Sequence, residues 1–128
     1  ILLGAGSFWE GIDLPEEKLE LLVITRLPFQ SPDSLINKVR YRNVQAKGHN
    51  PFSAVSLPEA ALKFRQGFGR LIRTKDDHGI LAVLDSRIVN KRYAHEFTDT
   101  LPKDLRIDRV EMKDIPEIIC DTEKDFGF

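Results

Sequence analysis

The sequence predicts an α/β domain in which a parallel-type sheet is flanked by helices. Two nearly continuous apolar runs, Leu19-Glu20-Leu21-Leu22-Val23-Ile24-Thr25 and Gly79-Ile80-Leu81-Ala82-Val83-Leu84-Asp85, have the pattern of strands buried on both faces. Between them lie two segments with helical periodicity and helix-start signals. Buried strands alternating with helices indicate layers of helix on parallel sheet.

The elements follow in order. Ile1-Leu2-Leu3 reads as the remnant of a first strand, and Gly4 to Gly11 as a loop with three glycines that turns through Asp13 to Pro15. Pro28 ends the second strand. Ser31-Pro32-Asp33 offers a hydroxyl cap, an early proline and an acidic first turn, so a helix is expected over 32–47, with Leu35, Ile36, Val39, Tyr41 and Val44 as its apolar stripe. Gly48-His49-Asn50-Pro51 interrupts that pattern. Ser56-Leu57-Pro58-Glu59 resembles a capping box, and a second helix is expected from Pro58 to about Arg73, with Ala61, Leu62, Phe64, Phe68 and Leu71 inward. A turn at Asp76-Asp77-His78-Gly79 leads to the third strand. A helix near 90–99, a short strand near 107–110 and a helix near 114–125 complete the chain.

With 128 residues, 41% of them hydrophobic, the chain is one domain in length with enough apolar material for an ordinary core. No apolar run approaches the roughly 20 residues that span a bilayer. A cytoplasmic protein without a membrane partner is expected. Cys120 is the single cysteine, which excludes an internal disulfide and a multi-cysteine metal site; beside Ile118 and Ile119 it is expected to be buried. His49, His78 and His95 are too scattered for a metal site and are expected at the surface or in turns. The chain starts at Ile1 within an apolar segment, so it is expected to be a fragment of a longer polypeptide, 1–128 forming the carboxy-terminal portion of one domain.

Net charge is −1, but its distribution is uneven. Residues 26–48 carry Arg26, Lys38, Arg40, Arg42 and Lys47 against Asp33 alone, whereas seven acids crowd residues 108–125. A basic half followed by an acidic tail is compatible with a nucleic-acid face on one side. Tyr41 with Lys38, Arg40 and Arg42 either contacts single-stranded DNA or forms a solvated helix face with one ring tucked inward; the second reading is favoured.

The stretch that carries most chemistry is Gln66-Gly67-Phe68-Gly69-Arg70-Leu71-Ile72-Arg73. Its spacing puts Arg70 and Arg73 on one helical face, where two always-charged planar forks form a clamp for phosphate oxygens. A solvated basic helix end, favoured by the helix dipole, is the alternative. The loop Gly4-Ala5-Gly6-Ser7-Phe8-Trp9-Glu10-Gly11-Ile12-Asp13-Leu14-Pro15 leaves backbone N–H groups open to phosphate or sugar, though no Gly-Lys-Ser/Thr makes it a phosphate-binding P-loop.

Taken together, these two segments resemble motifs V and VI of superfamily-2 helicases of the DinG/XPD type. Ser7 to Pro15 is similar to motif V. Leu62 to Arg73, followed by Asp77-His78-Gly79 and Asp85-Ser86-Arg87, is similar to motif VI and its sequel. Arg26-Leu27-Pro28-Phe29 and Pro32-Asp33 also match, so the resemblance covers about residues 4–93. Glu16 stands where the family usually has a glycine.

The resemblance implies a RecA-like second motor lobe, P-loop NTPase-like in fold, of an ATP-dependent DNA helicase. ATP with Mg2+ would bind between this lobe and a first lobe outside the chain. Arg73 and Arg70 would contact the terminal phosphate and Gln66 would orient nearby groups. Gly69, Gly11 and Asp13 would lie near the nucleotide, and Ser7, Trp9 and Glu10 would couple it to the single-stranded DNA track. The alternative is a non-catalytic DNA- or protein-binding module on the same scaffold. Removal of the preceding strands would uncover a sheet edge, so self-association of the fragment is expected.

Overall fold

The computed structural model describes residues 21–73 and 77–126. Two strands, β1 (Leu21–Ile24) and β2 (Ile80–Val83), pair in parallel with Leu21 opposite Ile80 and Ile24 opposite Val83. The crossover between them contains α1 (Leu35–Ala46), a π-helical turn over Phe52–Ser56 and α2 (Leu57–Leu71). After β2 come α3 (Arg87–Asn90), a 3-10 turn over Arg92–Ala94, α4 (His95–Thr98), a 3-10 turn over Met112–Asp114 and α5 (Ile115–Phe126). No described helix is long and apolar enough to cross a membrane.

The core lies where α2 meets the strand pair and α4. Leu57, Ala60, Ala61, Phe64, Phe68 and Leu71 recur at helical spacing and are all buried. Ile24 and Leu27 meet them from the sheet side, and Phe97 from α4 sets its ring edge-on to Phe64 at 5.5 Å. Leu62 departs from the expected inward set. It lies on the opposite side of the same helix and is exposed.

The strands are less covered than the apolar runs predict. Leu21 and Val23 are exposed while Ile24 is buried, the alternation of a pair with one face on α2. The remnant strand at Ile1–Leu3 lies outside the described residues.

Helix α1 corrects its expected stripe most clearly. Leu35 and Ile36 are 82% and 74% exposed and Val39 is exposed too, while Asn37 is buried. The reason is hydrogen bonding. Asn37 Nδ2 donates to the Ser31 carbonyl at 2.8 Å and to Gln30 Oε1 at 3.2 Å, and its backbone N–H donates to Ser34 Oγ. Ser34, not Ser31, is therefore the cap, and the helix begins at Leu35. Its other end closes on Gly48, whose φ of 80° suits glycine and whose N–H donates to the Gln45 carbonyl.

Ser56 does not form the expected capping box, because the backbone is already helical from Pro51. Its hydroxyl instead pairs with the Tyr41 hydroxyl at 2.6 Å, and Glu59 pairs with Arg40. The segment expected as one helix near 90–99 is broken where Lys91 takes extended backbone, which lets Tyr93 and Phe97 both turn toward the aromatic cluster. No strand forms over 107–110: Ile107 and Val110 are exposed, with no pairing partner among the described residues. Cys120 is exposed, not buried. Five residues on from half-buried Ile115, helical rotation carries it to another side of α5. The three histidines are all exposed, as expected.

Candidate functional site

Helix α2 has an exposed face opposite its core face. With Leu57, Ala61, Phe64 and Phe68 inward, the 100° step per residue places Leu62, Gln66 and Gly69 along the outward line, and all three are exposed. Arg70 flanks that line and is half-buried. Of the residues singled out from sequence, Gln66, Gly69 and Arg70 are thus brought together on the last two turns.

Arg73 stands apart from the helix. The helix ends at Leu71, and Ile72 is extended with φ −119° and ψ 103°, its N–H donating to the Phe68 carbonyl at 3.0 Å. The expected shared helical face for Arg70 and Arg73 is therefore corrected: they flank a helix end, Arg73 exposed beyond the last turn. Its backbone is fixed by Asp77, whose Oδ2 accepts the Arg73 N–H at 2.8 Å. Sequence reading took Asp77 for a turn residue only. Ser7, Trp9, Glu10, Gly11 and Asp13 lie outside the described residues.

A second constellation lies at the exits of the strands, where the sequence showed an acid after a buried run and the family-like segments Arg26-Leu27-Pro28-Phe29 and Asp85-Ser86-Arg87. Asp85, directly beyond β2, accepts the Leu27 N–H at 2.8 Å on Oδ2 and the Arg87 N–H at 3.1 Å on Oδ1. The Arg87 guanidinium adds Nε at 2.9 Å to Oδ1 and Nη2 at 2.6 Å to Oδ2. The Asp85 side chain is 8% exposed, and Arg87 above all, with these N–H groups, holds its carboxyl far below the usual carboxylate range against the opposing cost of burial. The same guanidinium lies 5.2 Å from the centre of the Phe29 ring. One carboxylate thereby ties the exits of both strands together.

The basic helix α1 is occupied by internal pairs. Lys38 reaches Asp33, Arg40 pairs with Glu59, Tyr41 is half-buried against Ser56 and Arg42 is exposed. Among the described residues no three His, Cys, Asp or Glu side chains converge as a metal site.

Comparison with known proteins adds the family. Residues 1–104 match the model for the helicase C-terminal domain. The chain is 49% identical over 102 residues, 80% of its length, to the 3'-5' exonuclease DinG of Bacillus subtilis, covering 11% of that protein. It is 45% identical over 107 residues, 84% of its length, to the ATP-dependent DNA helicase DinG of Photobacterium profundum, covering 16% of it. The ATP-dependent DNA helicase YoaA of Escherichia coli is 42% identical over 102 residues, 80% of the chain and 16% of the relative. The chain spans between a tenth and a sixth of the length of these curated relatives. It belongs to the helicase C-terminal domain family.

Proposed function

We propose that residues 1–128 are the carboxy-terminal part of the second, RecA-like motor lobe of a DinG-type ATP-dependent DNA helicase, and that α2 presents its ATP-responsive end to a first lobe elsewhere in the polypeptide. The observation that carries the reading is the outward face of α2, where Gln66, Gly69 and Arg70 gather on the side of the last two turns that the core does not use, with Arg73 just beyond. Arg73 and Arg70 approach the terminal phosphate of ATP when the lobes close, and positive charge arriving from a partner lobe stabilises the phosphoryl group in transfer. Gln66 orients the groups around it. Gly11 and Asp13 serve the nucleotide, and Ser7, Trp9 and Glu10 couple it to DNA. Mg2+ accompanies ATP in the first lobe.

Gly69 supports this reading from the stability side. A methyl group built there meets nothing within 4 Å, and its φ is not positive, so the fold itself does not call for glycine. Gly69→Ala is expected to stabilise the chain by about 0.5–1 kcal/mol, read as a higher melting temperature. The same substitution in the longer polypeptide is expected to slow ATP turnover, because the space that the glycine leaves is taken by the closing lobe.

The direct test compares the isolated chain with the polypeptide that contains both lobes. The chain alone, which has no Gly-Lys-Thr loop, is expected to show no ATP hydrolysis with or without DNA. The two-lobed polypeptide is expected to hydrolyse ATP faster with single-stranded DNA. Absence of DNA stimulation there would favour the non-catalytic binding module.

A further inference from the structure

We propose that Phe52, backed by Phe29 and Tyr93, is a stacking platform for one unpaired base of single-stranded DNA, and that the adjoining pocket lined by Lys63 takes a neighbouring phosphate. This rests on the motor-lobe reading above and names a DNA contact at the opposite end of α2 from the arginines.

The platform is built and not merely exposed. Phe52 opens the π-helical turn that leads into α2 and is 41% exposed. Asn50 Oδ1 accepts its backbone N–H at 2.8 Å, which fixes the direction in which the residue leaves the chain. Phe29 lies against it at 5.7 Å and 24°, and Tyr93 approaches at 5.2 Å and 58°. Phe29 is itself clamped by the Arg87 guanidinium and by the edge of Phe97. Two of the rings are therefore held by the core while the third is left to solvent. π-Helical turns tend to be retained where a side chain has work to do.

The surroundings suit a polyanion. Lys91 and Arg92 immediately precede Tyr93 and are exposed, and the charge of Asp85 is matched by Arg87. Phe29 also lines an open pocket of about 420 Å³. Its lining includes Gln30, Ser31, Ser34 and Lys63. Buried Asn37 holds Gln30 and Ser31 in place through two hydrogen bonds. An aromatic face beside hydroxyl, amide and ammonium groups has what a base and its phosphate require, and only an unpaired base can offer its flat face to the ring. Along α2, about 20 Å separate Leu57 from Arg70, so one rigid helix joins this surface to the proposed ATP-facing end.

The experiment uses the two-lobed polypeptide and a fluorescently labelled oligothymidylate, with affinity read by anisotropy at fixed salt. Phe52→Ala is expected to weaken binding by about ten- to a hundredfold. Phe52→Trp is expected to retain it, and its indole emission is expected to be quenched as the oligonucleotide binds. Unchanged affinity in Phe52→Ala, or an unquenched indole in Phe52→Trp, overturns the platform while ATP turnover stimulated by DNA leaves the motor reading standing. Equal losses on oligothymidylate and on a blunt duplex also overturn it, since stacking on an unpaired base is then not what is lost. If the parent polypeptide binds no oligothymidylate and shows no DNA-stimulated turnover, both readings fall.

Discussion

Arg73→Ala, made in the two-lobed polypeptide, is expected to lower DNA-stimulated ATP turnover by about a thousandfold or more. The loss should fall on kcat rather than on the binding of ATP, because a charge brought in from the opposite lobe acts on the transferring phosphoryl group and little on the ground state. Arg73 is suited to that role by position. It is exposed, it lies outside the helical ladder and its backbone is tethered to Asp77 at 2.8 Å, which fixes the chain just beyond the end of α2. Arg73→Lys separates charge from shape: it keeps the cation and loses the planar fork, and an intermediate rate is expected. Arg70 is half-buried on the last turn of α2, and Arg70→Ala measured in parallel apportions the effect between the two. Undiminished turnover in Arg73→Ala would remove it from the phosphate-contacting role. Equal loss of ATP affinity and turnover in both variants would instead mark them as ground-state ligands.

How much of this could be read from the residues depends on the kind of signal. Both strands, α1 and α2 announce themselves, because a doubly apolar run and a 3.6-residue period are local properties. The face that each helix turns inward is not local. In α2 the aromatic spacing of Phe64, Phe68 and Leu71 decides it correctly, yet in α1 a single buried amide outweighs Leu35, Ile36 and Val39. Asn37 wins because three hydrogen bonds to the turn before the helix satisfy it there, while Leu35 and Ile36 are left facing outward. The candidate site shows the same division. Gln66, Gly69 and Arg70 share an outward face by helical arithmetic alone. Arg73 beyond the helix end meets Asp77, four residues on, and Phe52 packs against rings from two other segments. The capping box fails for a related reason: the backbone is already helical from Pro51, and the Ser56 hydroxyl pairs with Tyr41, fifteen residues away.

Asp85→Ala is expected to cost about 2–4 kcal/mol of folding stability, a drop of roughly 10 °C or more in melting temperature. Its carboxylate is the acceptor for the N–H of Leu27, which is buried, and its removal leaves that N–H without its acceptor and the Arg87 guanidinium without its counter-ion at the edge of the aromatic cluster. Asp85→Asn keeps an oxygen for Leu27 but not the charge for Arg87, so a smaller loss is expected. The pH dependence distinguishes the ionic part. In the folded chain the carboxyl is held below its usual range by Arg87 and the backbone N–H groups, so the unfolded chain takes up the proton first as pH falls. The stabilisation is therefore complete above about pH 4, the ordinary carboxylate range, and is lost as acid titrates toward the depressed folded value. Denaturant melts of the native chain and of Asp85→Asn should differ by a constant margin near neutrality and converge below about pH 4. A margin that persists unchanged into strong acid would mean that Asp85 acts through shape and hydrogen bonding alone. Because the same carboxylate fixes Arg87 over Phe29, melting of the clasp should also loosen the ring that backs Phe52, and oligothymidylate affinity in Asp85→Asn is expected to fall even at temperatures where the chain remains folded.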